Sequence, residues 1–64
     1  MDFTDLEKEI ILGLARHNMN VAELSREIYW SRNSVVYHIG KIKKKTGLDP
    51  ANFYDLVKLL EAVK

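Results

Sequence analysis

The sequence contains no cysteine, a single proline and only three glycines in 64 residues. Without cysteine, disulfide frameworks and thiolate metal centres are excluded, and an intracellular, cytoplasmic home is the expectation. Gly13, Gly40 and Gly47 are too scattered to build a phosphate-cradling loop. Long apolar runs are missing too. Ile10-Ile11-Leu12, running on through Gly13 to Leu14, falls far short of the ~20 residues a membrane span needs, so no membrane partner is expected. Met1 is followed by Asp2 instead of a basic and then an apolar segment, so the expectation is a chain without a secretory leader. The two histidines, His17 and His38, lie far apart and form no recognised metal spacing. Acidic pairs such as Glu7 and Glu9 are assigned to solvent-facing helix positions with no enclosing pocket. An enzymatic reading therefore has nothing to stand on, and no cofactor, metal or small-molecule substrate is expected.

What is present is 47% hydrophobic and 30% charged residues, enough for one small packed domain. A chain this short buries only ~60% of the surface it exposes when unfolded, which leaves little for an enzyme cleft. Net charge is +1, but its distribution is uneven. Residues 1–30 hold six acids against three bases, and residues 49–64 hold three acids against two bases. Between them Arg32, Lys41, Lys43, Lys44 and Lys45 stand with no acid at all. A basic element with acidic flanks is the footprint of a phosphate-facing surface, although a lysine cluster also solubilises helix ends.

The pattern is helical throughout, with no convincing strand and no internal repeat. Thr4-Asp5-Leu6-Glu7 has the form of a capping box, so a first helix starts near Asp5. Its core stripe is Leu6, Ile10, Gly13, Leu14 and His17, with Ile11 on the flank and Leu12 off it. Asn20 with Glu23 repeats the start signature for a second helix over about 21–28, with Val21, Leu24, Ser25 and Ile28 on one face. Trp30 is expected in the core or as an anchor of the bend. Ser31 caps a third helix over about 32–46, in which Val35, Ile39, Ile42 and Thr46 point inward and Gly47 supplies the stop. Asp49 as cap and Pro50 at the first position predict a final helix over about 50–63, lined by Phe53, Leu56, Val57, Leu60 and Val63.

A short helix, a turn of about three residues and a longer helix from Val21 to Gly47 make the layout of a helix-turn-helix. At about 100° per residue, Asn33, Tyr37, Gly40, Lys41 and Lys44 project from the third helix opposite its core side. Arg32, Asn33 and Ser34 occupy its first turn, and Arg and Asn pair bidentately with guanine and adenine. Lys41 and Lys44, one turn apart, suit phosphates on a groove wall. Tyr37 is open between a packing ring and a DNA contact. Glycine inside a helix costs ~1 kcal/mol relative to alanine, so Gly40 marks either close helix packing or close approach of a ligand.

The run Ser31-Arg32-Asn33-Ser34-Val35-Val36-Tyr37-His38-Ile39-Gly40-Lys41-Ile42, continuing through Thr46-Gly47-Leu48-Asp49, resembles the C-terminal helix-turn-helix of PucR-type regulators, bacterial activators of purine and sugar-diacid catabolism. That family's pattern reads roughly His-Arg-Asn-Thr-Leu-x-Tyr-Arg-Leu, then Ile, then Thr-Gly. The LuxR/FixJ type is similar over a longer stretch, taking in Phe3-Thr4, Glu7, Glu9-Ile10 and the helix after Gly47. Three departures stand out: Ser31 in place of His, His38 in place of Arg, and Gly40 in place of a common basic residue. Val36 likewise sits where many relatives carry a cation. The outer face is thus less charged than in the family, and Val36, Tyr37 and Gly40 suit thymine methyls, close backbone approach or a protein partner.

The resemblance implies an all-α, four-helix helix-turn-helix domain over residues 1–64 that binds double-stranded DNA and regulates transcription. In it Arg32, Asn33, Ser34, Val36, Tyr37, Gly40, Lys41 and Lys44 form the DNA face. Tyr54, Leu59 and Ala62 on the final helix form a seam for a weak homodimer, as the LuxR type implies. The alternative is a small helical protein-interaction module that docks on a polymerase subunit or another regulator. Single-stranded RNA binding ranks third, since Tyr37 alone is a poor stacking platform. Met1 followed at once by a capping box fits a complete small protein slightly better than an excised output domain.

Overall fold

Thr4 opens the first helix by the expected reciprocal cap. Its hydroxyl accepts from the Glu7 N–H at 3.1 Å, and its own N–H donates to Glu7 Oε1 at 2.8 Å. The computed structural model describes residues 3–63, so Met1, Asp2 and Lys64 lie outside the described residues. Among the latter the chain is all-α: α1 (Asp5–Arg16), α2 (Val21–Glu27), α3 (Arg32–Thr46) and α4 (Phe53–Val63), with no strand.

The reversal between α1 and α2 passes through Asn18 and Met19, both left-handed at φ 54° and 65°. Asn20 caps α2 by accepting from the Glu23 N–H at 3.1 Å. Instead of completing a box, the Glu23 carboxylate lies 3.5 Å from His17 Nδ1. His17, placed by the sequence at the end of the core stripe of the first helix, is only half-buried and instead sets Nε2 3.0 Å from Glu27, and Arg16 pairs with the same Glu27 carboxylate. A polar clasp thus joins the end of α1 to α2. Its interior counterpart is the approach of Gly13 to Leu24, so close that a Cβ on residue 13 would lie 2.3 Å from Leu24 Cδ1.

Ser31 caps α3 by accepting from the Ser34 N–H at 3.1 Å, and Gly47 closes it at φ 76° with its N–H bonded to Lys43 O at 2.7 Å. The final helix starts later than the proline signal predicts. Asp49 does act as a cap, but of a turn: Oδ1 accepts from the Ala51 N–H at 2.9 Å and its carbonyl accepts from the Asn52 N–H at 2.9 Å. Pro50 is fully buried and anchors that turn. Asn52 then accepts from the Asp55 N–H at 3.2 Å, which starts α4 at Phe53 instead of residue 50.

The core consists of Ile10, Ile11, Leu14, Leu24, Val35, Ile39, Ile42, Leu56 and Leu59. Helix α1 lies alongside all three others, whereas α4 lies alongside α1 alone. This arrangement corrects five side-chain expectations. Ile11 is fully buried, because a helix with neighbours on several sides needs an apolar arc wider than one stripe. Leu59 is also fully buried, while Phe53 (60% exposed) and Val57 face outward, since α4 turns its Leu56–Leu59 side to α1. Glu7, expected in solvent, is only 9% exposed; its carboxylate takes both the Thr4 N–H and, at 3.0 Å, the Lys45 ammonium. Those contacts, led by the Thr4 N–H, hold the carboxyl below its ordinary value of 4.5 against the opposing effect of burial.

Candidate nucleic-acid interface

Periodicity divides α3 cleanly. Val35, Ile39 and Ile42 face the core, and this leaves Asn33, Tyr37, Gly40, Lys41 and Lys44 exposed on the opposite side, with Val36 exposed at its edge and Arg32 exposed in the first turn. Ser34 is half-buried, and its Oγ accepts from the Ser31 hydroxyl at 2.9 Å, which leaves its own O–H free to donate.

The five cations between residues 31 and 48 fall into two groups. Lys45 is drawn inward to Glu7 and lies 5.3 Å from the Phe3 ring, and Lys43 stands 3.9 Å from Asp49. Arg32, Lys41 and Lys44 have no acidic partner among the described residues. The charge of Lys41 and Lys44, one turn apart on the outer side, is therefore uncompensated, as is that of Arg32 at the exposed start of the helix. Lys41 lies 5.6 Å from the centre of the Tyr37 ring, a cation–π contact that orients the tyrosine along the helix.

Tyr37 begins a short aromatic chain. Its ring stands edge-on to His38 at 5.3 Å, and His38 stands edge-on to Trp30 at 5.1 Å. Trp30 is not a core residue: it is 37% exposed, because the turn at Tyr29 directs it along the flank of α3. His38 is half-buried between the two rings as a packing histidine, and no cluster able to hold a metal ion occurs among the described residues. Gly40 has open space where a Cβ would stand, with no atom within 4 Å, so internal helix packing is excluded as its reason.

The final helix presents a different surface. Tyr54 (75% exposed) and Ala62 point outward, but Leu59, assigned to the same seam, is enclosed in the core and cannot meet a second copy. Sequence reasoning also missed a shallow apolar groove of about 190 Å³ between α1 and α4, lined by Leu14, Met19, Phe53, Val57 and Leu60 among others. No helix among the described residues is long and apolar enough to cross a membrane.

A seven-residue helix, a tight left-handed turn and a fifteen-residue helix with a free basic face define a helix-turn-helix domain. The family model of the PucR C-terminal helix-turn-helix domain matches residues 9–64, and the chain belongs to that family of DNA-binding domains of transcriptional regulators. Among curated proteins, it is 31% identical over all 64 residues to the carbohydrate diacid regulator of Escherichia coli (strain K12). The chain spans 17% of the length of that relative. No solved structure matches it.

Proposed function

We propose that residues 1–64 act as a single reading domain of a transcriptional regulator, with α3 seated in the major groove of double-stranded DNA and α2 supporting it. One observation carries this reading: Lys41 and Lys44 on the outer side of α3, and Arg32 in its exposed first turn, have no acidic partners among the described residues. The name of the Escherichia coli relative, a regulator, is in keeping with it. Arg32, Asn33, Ser34 and Tyr37 approach base edges, with Val36 supplying an apolar contact for thymine methyls. Gly40 lets the helix backbone come close to the groove, and Lys41 and Lys44 hold phosphates. The domain binds and does not catalyse, and it works in the cytoplasm, where chromosomal DNA is accessible.

The test is a fluorescence anisotropy titration of the chain with a labelled random duplex. Binding should fall steeply between about 50 and 200 mM salt as phosphate contacts release counterions. Flat or absent binding would instead support docking of the α3 face on a polymerase subunit or another regulator, the reading that exposed Val36 and Tyr37 also fit. Selection of bound sequences from a random pool then gives base preference and symmetry together.

A weak homodimer on inverted half-sites about one helical turn apart follows from the usual geometry of such domains. Tyr54 and Ala62 on the outside of α4 are its proposed seam, with Leu59 left out. Sedimentation velocity on a palindromic duplex distinguishes one bound copy from two.

A further inference from the structure

Tyr29 lies in the turn between α2 and α3 with φ 58°, and it is 95% exposed. Left-handed backbone disfavours a bulky side chain, whereas glycine or asparagine adopts it readily. The other non-glycine residues in that conformation have evident reasons. Asn18 is a residue type that tolerates it, and Met19 packs against the core. For Tyr29 nothing inside the molecule offsets the strain. Its ring has no aromatic neighbour and its hydroxyl no hydrogen-bond partner among the described residues, while the adjacent Trp30 lies against His38. Strain without an internal reward points outward.

The position of Tyr29 is fixed. Its N–H donates to Arg26 O at 3.4 Å and the next N–H, of Trp30, donates to Ser25 O at 2.9 Å, so the turn is pinned to the end of α2. The cap of α3, Ser31, follows two residues later, and Arg32 and Asn33 come directly after it. Tyr29 therefore stands in the turn that leads into the end of α3 carrying the base-reading candidates, three residues before Arg32 and outside the helix itself. That location suits the strand backbone bordering a groove better than base edges. Tyrosine is among the neutral side chains that donate to phosphate oxygens.

We propose that Tyr29 is a contact to the DNA backbone, with its ring against a deoxyribose and its hydroxyl donating to a phosphate oxygen. The proposal rests on the duplex reading of α3 given above. A residue of this kind trades stability of the free domain for affinity, and the two readouts separate.

The experiment compares the full wild-type chain with Tyr29→Asn, Tyr29→Phe and Lys44→Ala, by duplex anisotropy across salt and by thermal unfolding. Tyr29→Asn should melt at or above the wild-type temperature. It should bind selected and random duplexes alike about five- to twentyfold more weakly, the effect expected for losing a hydrogen bond to a charged group together with ring contact. The dependence of affinity on salt should keep its slope, because no cation is removed. Tyr29→Phe should show a smaller loss with the same slope. Unchanged affinity in Tyr29→Asn, with Lys44→Ala still weakened, would overturn the role of Tyr29 and leave the duplex reading intact. A Tyr29→Asn midpoint lower by about 3 °C or more would assign the ring to the fold and overturn it too. If the wild-type chain binds no duplex, both readings fall together.

Discussion

The ammonium of Lys45 stands 3.0 Å from Oε1 of Glu7, so that the last turn of α3 is tied to the first turn of α1 across 38 residues of chain. The same oxygen accepts the Thr4 N–H at 2.8 Å. A lysine committed in this way is not free for a phosphate, which is why the proposed phosphate contacts are Lys41 and Lys44. The Glu7–Lys45 pair also closes one side of the molecule where Glu7 would otherwise be a buried, uncompensated charge.

The Glu7 carboxyl is held below its ordinary 4.5, and that depression sets the direction of a pH effect. Its contribution is present in full above the unfolded-state value and is lost as pH falls through the folded one. Thermal midpoints measured from pH 7 down to about 3 should therefore decline on the acid side. Glu7→Gln should cost about 1 kcal/mol at neutral pH and flatten that decline. An acid limb as steep in the variant as in the wild type would remove Glu7 from this role.

Glycine to alanine should act in opposite directions at two positions. At Gly40 the Cβ enters open space in the middle of a helix, so Gly40→Ala should stabilise the free domain by roughly 0.5–1 kcal/mol. At Gly13 the Cβ would strike the fully buried Leu24, and Gly13→Ala should destabilise by about 1–3 kcal/mol. Chemical denaturation measures both. If Gly40 marks close approach to a groove, its alanine variant should also bind duplex less well while being more stable. A variant more stable and equally tight would leave Gly40 without a binding role.

Arg32 and Lys44 should separate base reading from phosphate contact. Arg32→Ala should cost about 1–3 kcal/mol on a selected site and little on random duplex, which reduces the preference between them. Lys44→Ala should weaken both equally and lower the salt slope by about one unit. Equal effects of the two variants on selected and random duplexes would contradict these assignments. Anisotropy titrations at three salt concentrations suffice.

The helix starts at Thr4, Asn20 and Ser31 were legible because each depends on a side chain within three residues of the backbone it serves, and the stop at Gly47 because the lack of a Cβ there permits the left-handed cap. The start of α4 was not, since two local signals competed. Asp49-Pro50 reads as a cap followed by a first helical residue, but Asp49 closes a turn instead and Asn52 takes over the cap. Core membership at Ile11 escaped for a different reason. A single 100° stripe describes a helix with one neighbour, and α1 has three. The outer face of α3 was readable because periodicity alone assigns it. The capture of Lys45 by Glu7 and the clasp of His17 between two glutamates were not, since both join residues brought together only by packing.

That α4 leans on α1 and runs beside neither α2 nor α3 has a mechanical meaning. A pull, a push or an added mass at the C-terminal end has two routes toward α3: through α1, by the Gly13–Leu24 seat or the Glu7–Lys45 tether, and through the 47–52 turn, where Asp49 meets both Asp55 and Lys43.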